Sequence, residues 1–123
     1  MKFHPDVINV PFIKSYGTDW VEVGSERLSS SFVMSSTGER FAWNCAHFED
    51  LTAAHFDQLA KLHTELVIFG SGARLRFPAP ALITTLIKQQ IGLETMDMQA
   101  ACRTYNILAG EGRRVAVALL MES

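Results

Sequence analysis

Apolar side chains in the first half of the chain come in short runs separated by turn-forming residues, which is the spacing of strands. Phe12–Tyr16 and Trp20–Val23 flank Gly17-Thr18-Asp19, a turn composition. Ser31–Met34 and Arg40–Trp43 flank Ser35–Glu39, which reads as a hairpin with a longer loop in which Gly38 supplies the positive φ. These runs predict an antiparallel set of strands.

From Thr52 the period changes to that of a helix. Thr52 is the expected N-cap of a helix to about His63, because Ala53, Phe56, Leu59, Ala60 and His63 share one face at 100° per residue. Leu66–Phe69 is a short apolar run closed by Gly70-Ser71-Gly72, and it predicts a buried strand. Pro78 and Pro80 open a second expected helix over 80–91, with Leu82, Ile83, Leu86 and Ile87 as its apolar stripe and Gly92 at its end. Leu93–Met96 is a further strand. Asp97 caps a third helix, Met98 to about Ala109, whose stripe is Met98, Ala101, Cys102, Tyr105, Leu108 and Ala109. Val115–Met121 is apolar at nearly every position, as in a central strand buried on both faces.

Strand 66–69, helix 80–91 and strand 93–96 make a βαβ unit with parallel strands and a right-handed crossover. The expected fold is therefore α/β: a three-layer domain with a central mixed β-sheet, helices on its faces and an extra N-terminal antiparallel β layer. The 123 residues fit one domain, 1–123.

Composition narrows the function classes. The chain is 48% hydrophobic and 20% charged, enough for a core. Eleven Lys and Arg against thirteen Asp and Glu give a net charge of −2, with Arg113-Arg114 the only adjacent basic pair, so a nucleic-acid partner is not expected. Pro5 and Asp6 interrupt any signal-peptide core, and no apolar run reaches the roughly 20 residues of a membrane helix. The default location is cytoplasmic. Two cysteines, Cys45 and Cys102, fit a reducing compartment rather than a disulfide scaffold.

Several constellations carry candidate chemistry. Gly70-Ser71-Gly72 and Asp97 fall at the carboxyl ends of adjacent parallel strands, where open α/β sheets bind ligands. Exposed backbone N–H groups there can hold an anion. Arg74 and Arg76 alternate beside the loop, and with Arg103 they could clamp a carboxylate or phosphate. The same residues serve equally as a tight turn and a charged edge segment. The loop is no dinucleotide fingerprint, since Gly72 leads into Ala73-Arg74-Leu75-Arg76-Phe77-Pro78 and not into a helix.

Arg103, Thr104, Asn106, Glu111 and Arg113 crowd the third helix and its following turn, where Asn106 and Glu111 suit a network satisfying the turn's donors. Ile107 lies opposite the buried stripe, a candidate partner surface. Cys45 precedes Ala46-His47, but no orienting third group accompanies the pair, and Cys102 reads as a core thiol. His55 and His63 are eight residues apart, unlike a helical metal pair. No catalytic residue, cofactor or metal is assigned.

The C-terminal half resembles a known family. Ala100-Ala101-Cys102-Arg103-Thr104-Tyr105-Asn106-Ile107-Leu108 and Glu111-Gly112-Arg113-Arg114-Val115-Ala116-Val117-Ala118-Leu119 carry the likeness. Val67–Gly72 and Met96-Asp97 add to it, while Gln99 stands where that family usually has Thr. The family is that of mitochondrial complex I assembly factor 3 and an adipogenesis-associated protein, domain of unknown function family 498, and the chain reads as a bacterial member. The resemblance implies a three-layer domain and a role in binding or assembly, with no established activity.

Taken together, residues and resemblance favour a non-catalytic protein-binding or complex-assembly module, acting with a protein partner or as a homo-oligomer. The alternative is a domain binding a small anion or nucleotide-like molecule at the edge formed by Gly70, Ser71, Gly72, Arg74, Arg76, Asp97 and Arg103, with a reaction of unknown kind.

Overall fold

The computed structural model describes residues 10–122. In chain order its strands are β1 (Ile13–Tyr16), β2 (Val21–Val23), β3 (Glu26–Leu28), β4 (Phe32–Ser35), β5 (Arg40–Ala42), β6 (Leu66–Gly70), β7 (Gly92–Met96) and β8 (Val115–Leu119). The helices are α1 (Ala53–Ala60), α2 (Thr84–Lys88) and α3 (Met98–Gly110). The large sheet runs β5-β4-β8-β6-β7, and a smaller antiparallel sheet runs β1-β2-β3. β8 is antiparallel to β4 and parallel to β6, and β6 is parallel to β7.

The apolar run of β8 occupies the middle of the large sheet, with all five residues buried. Its alternate side chains leave on opposite faces. Val115, Val117 and Leu119 pack with Met34, Ile68 and the α3 residues Ala101, Cys102 and Tyr105; Ile13 and Val21 of the small sheet close this core. Ala116, Ala118 and Leu120 pack with Val33, Val67, Phe69, the α1 residues Phe56 and Leu59, and Leu86 of α2. Trp43, Phe56 and Phe69 meet edge to face in that second core, with centroids 5.6–5.9 Å apart. The result is three layers: the small sheet with α3, the large mixed sheet, then α1 and α2.

Some boundaries differ from expectation. The helix expected over 80–91 is broken into a 3₁₀ turn, Pro80–Leu82, and the short α2, with Ile83 at φ −113° and ψ 17° between them. Gln90, not Gly92, closes it. Ile91 N donates to Leu86 O at 2.9 Å and Gln90 N to Ile87 O at 3.0 Å, a Schellman closure with Gln90 at φ 58° where glycine is usual. Gly92 instead begins β7. α1 stops at Ala60, because the chain tightens into i→i−3 bonds at Leu62 and His63, and His63 turns left-handed at φ 55°. β3 is unexpected: two of its three residues are charged, and the Gly24-Ser25 turn sets its register against β2.

Candidate functional site

Parallel pairing gathers the carboxyl ends of β6, β7 and β8, with Gly70 opposite both Met96 and Leu119. Backbone bonds stitch this end together. Ser71 N donates to Met96 O at 2.9 Å, Leu120 N to Gly70 O at 2.9 Å, and Met98 N to Gly72 O at 2.8 Å. Gly70 has a packing reason to be glycine. A Cβ there would lie 2.7 Å from Leu119 Cδ2 and 3.0 Å from Ala101 Cβ, so its absence lets α3 approach the sheet. Gly72 has a conformational one, φ 100°. Ser71 is fully buried, and its hydroxyl donates to Arg74 O at 2.7 Å while accepting from Arg76 N at 2.9 Å.

Arg76 and Asp97 of this edge are engaged internally. Arg76 turns inward. Its Nη2 donates to Ser71 O and to Glu122 Oε1, each at 2.6 Å, and its guanidinium lies 4.7 Å from the Phe48 ring centroid. Glu122 also accepts from Phe48 N at 2.8 Å, and the Arg76 hydrogen bonds hold its carboxyl below the ordinary range. Asp97 caps α3, its carboxylate accepting from Ala100 N at 2.9 Å. Arg103 is exposed and reaches Tyr16 Oη at 3.4 Å, which raises its affinity for its proton. Arg74 is exposed. A cleft of about 210 Å³ opens beside α3, lined by Thr18, Gly72, Ala73, Asp97, Met98 and Gln99. Among the described residues Asp97 is the only charged side chain in that lining, so of the seven residues expected at the edge the cleft unites Gly72 and Asp97 and none of the arginines.

The remaining candidates resolve into structural roles. The Cys45 thiol donates to the backbone oxygen of His47 at 3.0 Å, and burial pushes its pKa up. Burial pushes the Cys102 thiol up to about 12. Neither is an activated nucleophile. His55 Nδ1 accepts from Thr52 N at 2.9 Å in a capping box, and Nε2 lies 2.7 Å from Asn44 O. Asn106, expected to serve the turn after its helix, clamps β1: its Oδ1 accepts from Ile13 N at 2.9 Å and its Nδ2 donates to Ile13 O at 2.8 Å. Among the described residues no group of three His, Cys, Asp or Glu side chains could hold a metal ion, and no helix is long and apolar enough to cross a membrane.

Among the described residues three apolar spots face solvent. One is Ile87, expected on the apolar stripe of its helix but 60% exposed because the short α2 buries only Leu86. Ile107 is 61% exposed, with Phe12 nearby: a Cβ at Gly110, one turn further along α3, would lie 3.8 Å from the Phe12 ring. The third spot was not singled out from the sequence. Leu75 is 52% and Phe77 69% exposed, on the segment after the Gly70–Gly72 loop. The alternation Arg74-Leu75-Arg76-Phe77 carried the signal of a two-faced extended segment. The two arginines do not share a face: Arg74 is exposed along with Leu75 and Phe77, and Arg76 alone faces in.

Comparison with known proteins agrees with this architecture. A crystal structure of a protein from Bordetella parapertussis superposes with a TM-score of 0.86 at 37% identity, covering 92% of this chain and 97% of that one. A solution structure from Bordetella pertussis described as a Mth938-like domain gives 0.83 at 30% identity, covering all of this chain and 94% of that one. The bovine NADH dehydrogenase [ubiquinone] 1 alpha subcomplex assembly factor 3 is 31% identical over 80 residues, 63% of this chain and 44% of the factor, so the chain spans less than half the length of that relative. The model of the protein family of unknown function DUF498/DUF598 matches residues 13–120, from the first residue of β1 to the residue after β8, and the chain belongs to that family.

Proposed function

We propose that this chain is a non-catalytic protein-binding module of a complex-assembly kind, and that it meets its partner through Leu75 and Phe77. The observation that carries this reading is the exposure of those two side chains, 52% and 69%, on either side of an arginine anchored by Ser71 and Glu122. A large apolar pair held on a fixed backbone loses little conformational freedom on binding, and aromatic residues are frequent interface anchors. The likeness to an assembly factor over 80 residues supports the same class of role. An anion at the neighbouring cleft is the weaker reading, because a carboxylate lines the cleft and the arginines do not.

The test is affinity purification from native cells with a tagged chain, compared with the Leu75→Ser/Phe77→Ser double variant. Both side chains are exposed, so the melting temperature stays within a few degrees of wild type. A stoichiometric partner recovered with the wild type is lost with the variant. Retention of that partner by the variant, at equal yield, sinks the proposal.

A further inference from the structure

Among the described residues, two strand edges have no strand beside them and open on one groove. There β3 pairs with β2 alone, and β5 with β4 alone. In an antiparallel ladder successive residues turn their N–H and C=O alternately toward the partner strand and away from it. Trp43 N donates to Ser31 O at 3.0 Å and Ser35 N to Glu39 O at 2.9 Å. Glu39, Phe41 and Trp43 therefore face β4, and Arg40 and Ala42 present their N–H and C=O outward. On β3 the pair Val23–Glu26 closes the two-residue Gly24-Ser25 turn, which leaves Arg27 as the outward residue. The groove between the edges has a volume of about 380 Å³ and is lined by β3, β5 and the connecting residues 29–32. Its floor includes Phe32, which is buried, and Leu28, which is half-buried, both packed in the core on the small-sheet side.

We propose that this groove takes an extended segment of a partner protein as an added strand on β5, with an Asp or Glu of that segment binding Arg40. The outward groups of Arg40 and Ala42 are the main-chain template that such recognition uses, and the apolar floor receives alternate side chains. Charge selects the occupant. The lining holds Arg27 and Arg40 against Glu26 alone, a surplus of one positive charge. The Arg40–Glu26 ion pair, 2.6 Å across the groove, is exposed on both sides and is exchanged for an incoming carboxylate at small cost. A second copy of this chain has Arg40 and Ala42 at its own outward β5 positions and so offers no carboxylate across the strands to Arg40. The site uses neither Leu75 nor Phe77, so it stands or falls apart from the reading above.

The probes are two blocked pentapeptides, Val-Thr-Asp-Thr-Val and Val-Thr-Lys-Thr-Val, titrated into isotope-labelled protein and followed by NMR and amide exchange. With the Asp peptide the Arg40 and Ala42 amides shift and gain exchange protection. The Lys peptide binds about tenfold more weakly, the size of replacing an exposed attraction by a repulsion. Arg40→Glu reverses that order, Glu26→Gln tightens the Asp peptide about twofold, and Leu75→Ser/Phe77→Ser titrates as wild type. Absence of shifts up to about 5 mM peptide, the weak limit of useful affinity, overturns the proposal. So does equal binding of the two peptides, or protection at Arg40 and Ala42 that rises with protein concentration alone, which would make a second copy the occupant.

Discussion

Arg76 and Glu122 join the loop after β6 to the tail after β8, with Nη2 and Oε1 2.6 Å apart. The guanidinium also contacts the Phe48 ring and the Ser71 carbonyl, so one side chain ties three separate segments together. This has a consequence for the candidate edge. An arginine that the chain pattern offers to a ligand is committed to the fold, and its turn inward sends Leu75 and Phe77 out.

Glu122→Gln tests that tie through pH. The carboxyl of Glu122 is held below its ordinary value of 4.5, first by the Arg76 hydrogen bonds. A carboxylate with a lowered folded pKa contributes stability that is present above 4.5 and is lost as pH falls through the folded value. At neutral pH the variant is therefore less stable, by about 0.5–1 kcal/mol after allowance for solvent screening of a partly exposed pair. As pH falls through that lowered value the wild-type carboxyl is protonated and the two proteins converge. Glu39, held low by Ser35 and Thr37, contributes equally to both. Urea unfolding from pH 7 to 3 reads the difference, and a constant offset across that range contradicts the assignment.

Gly70→Ala tests whether the glycine loop serves packing. The added methyl would come within 2.7 Å of Leu119 Cδ2 and 3.0 Å of Ala101 Cβ. Both sit in the fully buried core, so α3 must shift or the sheet must yield, at about 1–3 kcal/mol. Urea unfolding of the variant should show that loss. An unchanged midpoint would mean that α3 packs less tightly here than described.

These contacts mark what the chain pattern could and could not disclose. Val115–Leu119 was legible as a central strand because a short β-branched apolar run after a Gly-containing turn suits a strand covered on both faces. The expected run to Met121 overshoots its end by two residues. The α3 stripe was legible because Met98, Ala101, Cys102, Tyr105 and Ala109 repeat at helical spacing and are all buried. The break at Ile83 was not, since residues 80–91 keep a helical stripe and only tertiary packing decides how much of it coils. Gly70 announced a close approach, but local pattern cannot say whether a ligand or a helix makes it. Arg76 and Glu122 lie 46 residues apart, and Asn106 and Ile13 lie 93 apart. No period within a short window contains such pairs.

Asn106→Ala tests the longest of them. The side-chain amide gives and takes a hydrogen bond with Ile13, which fixes β1 against α3, and Tyr105 Oη adds a bond to Pro11 O at 2.7 Å. Truncation leaves the Ile13 N–H and C=O without these partners, at about 2–3 kcal/mol. Asn106→Asp is expected to cost more, because one carboxylate oxygen would face the Ile13 carbonyl. Hydrogen exchange should quicken first at Ile13. Loss of stability spread evenly over the chain, with Ile13 no more labile than β8, would count against the clamp.

The two thiols give the sharpest chemical contrast with the reactive-cysteine alternative. Cys102 is fully buried with its thiol pushed up to about 12, and Cys45 is buried, donates to His47 O, and is likewise raised by burial. Reaction with a disulfide reagent requires thiolate, so at pH 8 Cys102 should label at least about 100-fold more slowly than a free cysteine, and Cys45 more slowly than a free cysteine. Denaturant should release two rapidly reacting thiols per chain. Since the His47 imidazole is not the group that contacts Cys45, His47→Ala should leave the slow native rate unchanged. A fast native phase of one equivalent, abolished by Cys45→Ser and slowed by His47→Ala, would instead place an activated cysteine at the end of this hairpin.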